Sequence, residues 1–249
     1  MDAIELLIDL HRHQNRQGPG SKADTLRAFS CTNLSGRSNV RIADIGCGTG
    51  GQSLTLANAI DGHITAVDIF DDFLSELERR ATNSGLADKI TTLNCPMDSL
   101  PFDDESLDAI WSEGAIYHMG FESGINSWKR FLRPGGYLVV SEITWITENR
   151  PFSLESFWKK EYPEIGRASD KINILEKHGF SLSGYFVLPA DSWIREYYEP
   201  LEHQYDAFLS THHGSDAALQ IVRESREEAA YFEKNQAYYS YGFYIARRG

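Results

Sequence analysis

The segment Asp44-Ile45-Gly46-Cys47-Gly48-Thr49-Gly50-Gly51 joins a β-type run to a helical one. Glycines in that place allow a tight turn and let backbone approach a ligand with no side chain between them. Two registers fit. Gly46, Gly48 and Gly51 satisfy GxGxxG, the pattern of dinucleotide enzymes, whereas Gly46, Gly48 and Gly50 satisfy GxGxG. Three further residue types bear on the choice. Asp44 precedes the loop, and its charge would repel a pyrophosphate but suit an ammonium or sulfonium. Asp68 ends the next β-type run, where a carboxylate can accept two hydrogen bonds from a ribose diol. Met97-Asp98 follows the third run, offering a thioether to an adenine face and an acceptor to its exocyclic amine.

The elements that must hold these residues alternate from residue 39 onward. Residues 40–45, 63–67, 90–93, 107–111 and 137–140 read as five strands, with helical patterns between most of them. The acids Asp71 and Asp72 suit a helix N-terminus, Phe73, Leu74 and Leu77 share one face, and Gly85 fits the C-terminal end. A helix through Trp128, Phe131 and Leu132 is expected to stop at Pro134-Gly135-Gly136. This rhythm means βαβ units, right-handed crossovers and a parallel sheet covered on both faces, a Rossmann-like α/β fold. Before it, residues 3–13 form an amphipathic helix, and Ser21 with Asp24 caps a second. After it, residues 144–169 are rich in aromatics and lack a clean strand. A helix over 170–178, a sixth strand over 183–188, helices over 190–233 and a last strand over 238–246 suggest a small helical cap on one edge of the sheet.

Residues 40–57 resemble the first motif of class I S-adenosylmethionine-dependent methyltransferases. Val67-Asp68, Met97-Asp98 with Leu100-Pro101-Phe102, Asp108-Ala109-Ile110-Trp111 and Arg133-Pro134-Gly135-Gly136 follow in that family's order and spacing. The resemblance covers residues 39–145 and is similar in flavour to the bacterial ubiquinone/menaquinone-methyltransferase group. It implies a seven-stranded, mostly parallel sheet with an antiparallel last strand. It also implies a single domain: an N-terminal helical segment, 1–35, closing over the site; a cofactor core, 39–143; cap insertions with the sixth strand, 144–236; and the last strand, 237–249. The implied cofactor is S-adenosylmethionine. Gly46, Cys47, Gly48 and Gly50 would hold its methionine part with Asp44 near the amino group, Asp68 and Ile69 would take the ribose, and Met97 and Asp98 the adenine. Glu113 and Gly114 would lie beside the methionine part, and the segment Gln17-Gly18-Pro19-Gly20-Ser21 would close over the cofactor, with Gly20 and Ser21 in contact with it.

A sulfonium methyl needs only an aligned nucleophile, so the protein's task is alignment and exclusion of water. A hydroxyl or carbon nucleophile also needs a base. Glu113, Tyr117 and His118 are the candidates, since their spacing puts them at the carboxyl edge of the sheet. The aromatics Trp145, Trp193, Tyr197, Tyr198 and Tyr239, with Tyr117 and His118, are candidate walls of an acceptor pocket for a small, partly apolar molecule. Arsenic methylation, which needs converging thiolates, is disfavoured because Cys47 sits in the glycine loop and Cys95 just before Met97.

Composition narrows the alternatives. The chain has 249 residues with 24 Lys plus Arg against 36 Asp plus Glu, a net charge of -12. That balance and the absence of a basic run exclude nucleic acid as the main partner. Three scattered cysteines form no metal spacing, no stretch approaches the roughly 18–20 apolar residues of a membrane span, and the acidic start is unlike a signal peptide. A cytoplasmic monomer or homodimer without a metal is expected. A nicotinamide-dependent oxidoreductase in the GxGxxG register, and a non-catalytic S-adenosylmethionine-binding module, stand as the competing readings.

Overall fold

A computed structural model describes residues 2–249. The strands are β1 (Val40–Ile45), β2 (Gly62–Asp68), β3 (Ile90–Asn94), β4 (Leu107–Glu113), β5 (Leu132–Trp145), β6 (Gly166–Arg167), β7 (Phe180–Val187) and β8 (Tyr239–Arg248). Seven of them lie in the order β3-β2-β1-β4-β5-β8-β7, and β6 pairs with β5 off that path. β1 to β5 are mutually parallel, while β8 runs antiparallel to both β5 and β7. This is the Rossmann-like methyltransferase arrangement expected above. β1 lies between β2 and β4, so the strand order reverses there and a crevice opens at their carboxyl ends.

The helices follow from local chemistry. Asp2 and Ser21 make reciprocal capping boxes with Glu5 and Asp24 at the starts of α1 (Ala3–His11) and α2 (Lys22–Ser30). The next helix, α3 (Gly51–Ala59), starts from the glycine loop. Asp71 and Asp72 occupy the first turn of α4 (Asp71–Asn83), whose Phe73, Leu74, Leu77 and Ala81 are buried. On the other face of the sheet lie α5 (Phe121–Trp128) and α7 (Ala168–Lys177), preceded by α6 (Phe152–Glu161). The chain between β7 and β8 forms α8 (Asp191–Trp193), a π turn over Ile194–Tyr198, α9 (Glu199–Glu202), α10 (Tyr205–Thr211) and α11 (Asp216–Asn235). No helix among the described residues is long and apolar enough to cross a membrane.

The structure departs from the sequence pattern in three places. The helix expected to reach Leu132 ends at Trp128, one 3-10 turn follows, and Leu132 already pairs with Leu107. The turn Arg133-Pro134-Gly135-Gly136 is a register shift inside β5, with Gly135 at φ 77°. β5 continues to Trp145 because β8 pairs along it from Tyr137 to that residue, and Ser141, Glu142 and Thr144 are buried with it. Residues 144–169, expected to lack a clean strand, hold the end of β5, α6 and the two-residue β6.

Trp145, Trp193 and Tyr197, expected as walls of an acceptor pocket, are core residues. Trp193 stacks on Phe232 with ring centroids 4.3 Å apart and donates Nε1–H to Ser240 Oγ at 2.9 Å, while Trp145 meets Tyr239 edge-on. Trp193→Ala should therefore cost about 3–5 kcal/mol, lowering the melting temperature by about 6–20 °C in a chain of this size. Thermal unfolding checks this, and a fall of less than about 2 °C would contradict the packing described.

Candidate active site

The glycine loop leaves β1 with its backbone folded back on β2: the N–H groups of Gly46 and Cys47 donate to Val67 O at 2.8 and 3.0 Å. Two glycines are required by close approach. Gly46 (φ 72°) would drive a Cβ into the Cβ of Ala115, and Gly48 (φ 53°) would drive one into the Gln17 side-chain oxygen. Gln17 itself accepts from Thr49 N–H at 2.7 Å and donates to Thr49 Oγ1 at 3.1 Å. Arg80 donates to Thr49 O at 2.9 Å. The loop is thereby clamped between the N-terminal segment and α4.

Against this loop, at the carboxyl ends of β1, β2 and β4, lies a cavity of about 430 Å³. Of the residues singled out from the sequence, Gly46, Cys47, Gly48, Asp68, Ile69, Met97, Asp98, Glu113, Gly114, Tyr117 and His118 all line it. The Asp68 carboxylate accepts from Gly48 N–H at 2.9 Å and from Phe70 N–H at 3.1 Å, and burial raises its pKa. Met97 fixes its backbone by accepting from Trp128 Nε1–H at 2.9 Å. Ile69 is 54% exposed, an apolar side chain turned to the opening without core partners. Burial also pushes the Cys47 thiol well above its ordinary value, so it is an inert thiol rather than a nucleophile.

Several expectations need correction. Asp44 does not reach the cavity. It is fully buried beneath the loop, accepts from Ser53 Oγ–H and from Gln52 at 3.3 Å, and desolvation lifts its pKa to about 7. Gly50 starts α3 at φ 82° and packs on Leu77. Gly20 and Ser21 also lie off the cavity: Gly20 packs against an ion pair and Ser21 caps α2. Trp145, Trp193 and Tyr197 do not line it either.

The ion pair is the part the sequence pattern missed. Arg16 Nη1 donates to Glu113 Oε2 at 2.6 Å, with the two side chains 8% and 3% exposed. Glu113 Oε1 accepts from Trp111 Nε1–H at 2.7 Å and from Thr25 Oγ–H at 2.8 Å, and Arg16 Nη2 donates back to Thr25 Oγ1 at 2.8 Å. Both Glu113 oxygens are engaged, by Trp111, Thr25 and the Arg16 guanidinium, and the side chain is 3% exposed, which argues against Glu113 as the base that meets an acceptor. Gln17, Gly18 and Pro19 of the segment expected to close over the site do line the cavity; Arg16, Gln52, Phe70, Cys95, Ala115 and Met119 line it as well. Arg16 carries no periodic or motif signal, because its partner stands 97 residues away.

Tyr117 and His118 occupy a 3-10 turn after β4, their rings 4.0 Å apart. Burial lowers the His118 pKa, partly opposed by the Asp68 charge, so the imidazole is neutral at pH 7. Burial raises that of Tyr117, with Glu228 and Glu142 adding to the shift. Among the described residues no group of three His, Cys, Asp or Glu side chains is placed to hold a metal ion.

Glu113→Gln would leave Arg16 buried without its counter-charge, and breaking a buried pair costs about 3–5 kcal/mol. Urea unfolding should register that loss; a change below about 1 kcal/mol would mean the pair is not desolvated as described.

Comparison with known proteins agrees with this geometry. The methyltransferase-domain family matches residues 43–140. The 27-O-demethylrifamycin SV methyltransferase of Amycolatopsis mediterranei is 29% identical over 121 residues, 48% of this chain and 44% of that protein. The chain spans about half the length of the curated relatives it matches. An S-adenosylmethionine-dependent methyltransferase from Thiobacillus denitrificans, solved with S-adenosyl-L-homocysteine, superposes over 100% of this chain and 99% of its own with a TM-score of 0.83 at 17% identity. The [4+2]-cyclase SpnF gives 0.78 over 99% and 93% at 21% identity. At these identities the structural likeness is one of fold. The stretch 43–140 that matches the methyltransferase-domain family is the one that brings the glycine loop, Asp68 and Met97 to one cavity.

Proposed function

We propose that the chain transfers a methyl group from S-adenosylmethionine to a small molecule that enters beside Tyr117 and His118. The observation that carries this reading is a single cavity uniting the loop of Gly46 and Gly48 with Asp68, Met97-Asp98 and the turn after β4. When bound, S-adenosylmethionine supplies a methyl group on a sulfonium, transferred to the acceptor's lone pair as the C–S bond breaks and its electrons pass to sulfur.

The residues present fit that cofactor. Asp68 retains acceptor capacity for a ribose diol beyond its two backbone bonds. Ile69 and Met97 give the apolar faces an adenine needs, with Asp98 beside them. The Arg16–Glu113 pair is complementary to a zwitterionic amino-acid group: guanidinium for carboxylate, carboxylate for ammonium. A neutral His118 adds no positive charge to a cavity meant for a sulfonium and has a free lone pair for the proton of a hydroxyl acceptor. The N-terminal segment, through Arg16 to Pro19, excludes water from the methionine end. The resemblance to ubiquinone/menaquinone methyltransferases concerns residues 39–145 and carries no acceptor with it. A cytoplasmic site suits a reaction that consumes S-adenosylmethionine.

A thermal-shift series with S-adenosylmethionine, S-adenosylhomocysteine, NAD and NADP tests the reading. Ligand at 100 times its dissociation constant adds about 2.7 kcal/mol, a rise of about 5–11 °C for this chain length. The adenosyl ligands alone should produce it; a rise with NAD or NADP only would return the glycine loop to its dinucleotide register. Asp68→Ala should weaken S-adenosylhomocysteine binding by about 1.5–3 kcal/mol, and unchanged affinity would remove the ribose role. Once an acceptor is in hand, a hydroxyl substrate should show an acid limb in turnover below the ordinary histidine value of about 6.5. That limb should vanish in His118→Ala while cofactor affinity holds; a limb that persists would exclude His118 as the base.

A further inference from the structure

Tyr117 and His118 belong to a single 3-10 turn, Ile116–His118, between β4 and α5. Its backbone closes through His118 N–H and Met119 N–H, which donate to Ala115 O and Ile116 O at 3.1 and 3.0 Å. Gly120 then starts α5 at φ 82° and, having no side chain, supplies no cap. The cap comes from a distant segment: Glu164 Oε2 accepts from Phe121 N–H at 2.9 Å. The other oxygen of Glu164 lies 2.6 Å from where a Cβ on Gly120 would stand, so only glycine admits it. A carboxylate there satisfies a free N–H and meets the positive end of the helix dipole.

Two residues before Glu164, Tyr162 reaches the same turn. Its ring meets that of Tyr117 edge-on with centroids 6.1 Å apart, and the Tyr117 ring lies 4.0 Å from that of His118. Lys171 Nζ stands 4.5 Å from the Phe121 ring centre and 5.5 Å from that of Tyr162, a cation facing both partners of the contact. Glu142 neutralises it at 3.2 Å, and both charged side chains are buried. Just past Glu164, Gly166 and Arg167 pair with Thr144 and Trp145 at the end of β5, which ties the segment to the sheet. Neither Tyr162 nor Glu164 lines the cavity, so each acts on it through the turn.

We propose that Glu164, backed by Tyr162, is a positioning residue that sets how Tyr117 and His118 face the methyl acceptor. This rests on the methyltransferase reading for what the turn meets, and adds what holds the turn. In-line transfer leaves little latitude, since a displacement of about 1 Å caused by a change away from the chemistry can cost about 10²-fold in rate. A three-residue turn running into a glycine has wide conformational freedom. Glu164 removes it at the backbone and Tyr162 at the side chain, both from a segment anchored on β5. Glu164 is exposed, so replacing it takes away the cap and no core contact.

An NMR titration of the histidine rings in the full chain, with and without S-adenosylhomocysteine, reads the turn directly; the His118 signal is the one lost in His118→Ala. Burial holds the His118 pKa down, opposed by the Asp68 charge. Glu164→Ala should raise it toward the ordinary value of about 6.5 as the loosened turn admits water. Loss of the Glu164 charge alone would lower it, so a rise reports the turn and not the charge. Glu164→Gln, whose amide oxygen still accepts from Phe121 N–H, should abolish the rise. Ser215→Ala removes the side-chain cap of α11, and should lower the melting temperature without moving His118. A His118 titration unchanged in Glu164→Ala, moved equally by Ser215→Ala, or left raised in Glu164→Gln overturns the proposal. Failure of S-adenosylhomocysteine to bind the unaltered chain would overturn the cofactor reading instead, while the titration of the free chain still decides the role of Glu164.

Discussion

The buried ion pair between Arg16 and Glu113 is the contact on which the candidate site depends. Glu113 ends β4 at the switch point of the sheet, and Arg16 belongs to the segment before α2. Taking both charges out of water is costly, and the cost is offset only where geometry and further hydrogen bonds are good. Here Trp111, Thr25 and Ser21 O complete the set. The result is a fixed wall: Arg16 to Pro19 stand over the glycine loop, and Gln17 grips Thr49 at its tip. The same contact explains why a carboxylate beside the cavity is a structural anchor and why the proton-accepting candidates narrow to the Tyr117-His118 turn.

That wall is tied in turn to the cap. Ser192 O accepts from Gly20 N–H at 3.0 Å, and Ser192 Oγ–H donates to Asp24 at 2.6 Å. Gln14 donates to Pro200 O at 3.1 Å, and His212 meets Asp9 at 2.8 Å. Segments almost two hundred residues apart in sequence therefore share one layer above the carboxyl ends of the strands. The cavity itself is lined by the alternating β-α core and by Arg16 to Pro19, whereas the late chain braces that segment from outside.

Charge is distributed to match. Asp44, close enough to Glu113 to be affected by it, is pushed up to about 7 by burial, which limits the negative charge accumulated under the loop. His118 is kept neutral and Cys47 protonated. Of the carboxylates that face the cavity, Asp68 is held by backbone N–H groups and Glu113 by a guanidinium.

The sequence by itself determined the sheet core, the glycine loop, Asp68, Met97-Asp98 and the turn of Tyr117 and His118 as cavity residues. Each depends on local periodicity or on a position a few residues past a strand end, and both are written in consecutive residues. It misjudged Asp44, because a charge beside a glycine loop carries no mark of which way its side chain turns; Ser53 and Gln52 on the following helix turn it inward. It also misassigned Trp145, Trp193 and Tyr197, since an aromatic that lines a pocket and one that fills a core have the same composition and spacing. Only tertiary structure decided that Arg16 pairs with Glu113 and that β5 extends to Trp145 along β8. Those are pairings across the chain, set by which surfaces the packed sheet and helices bring together, and no local pattern encodes them.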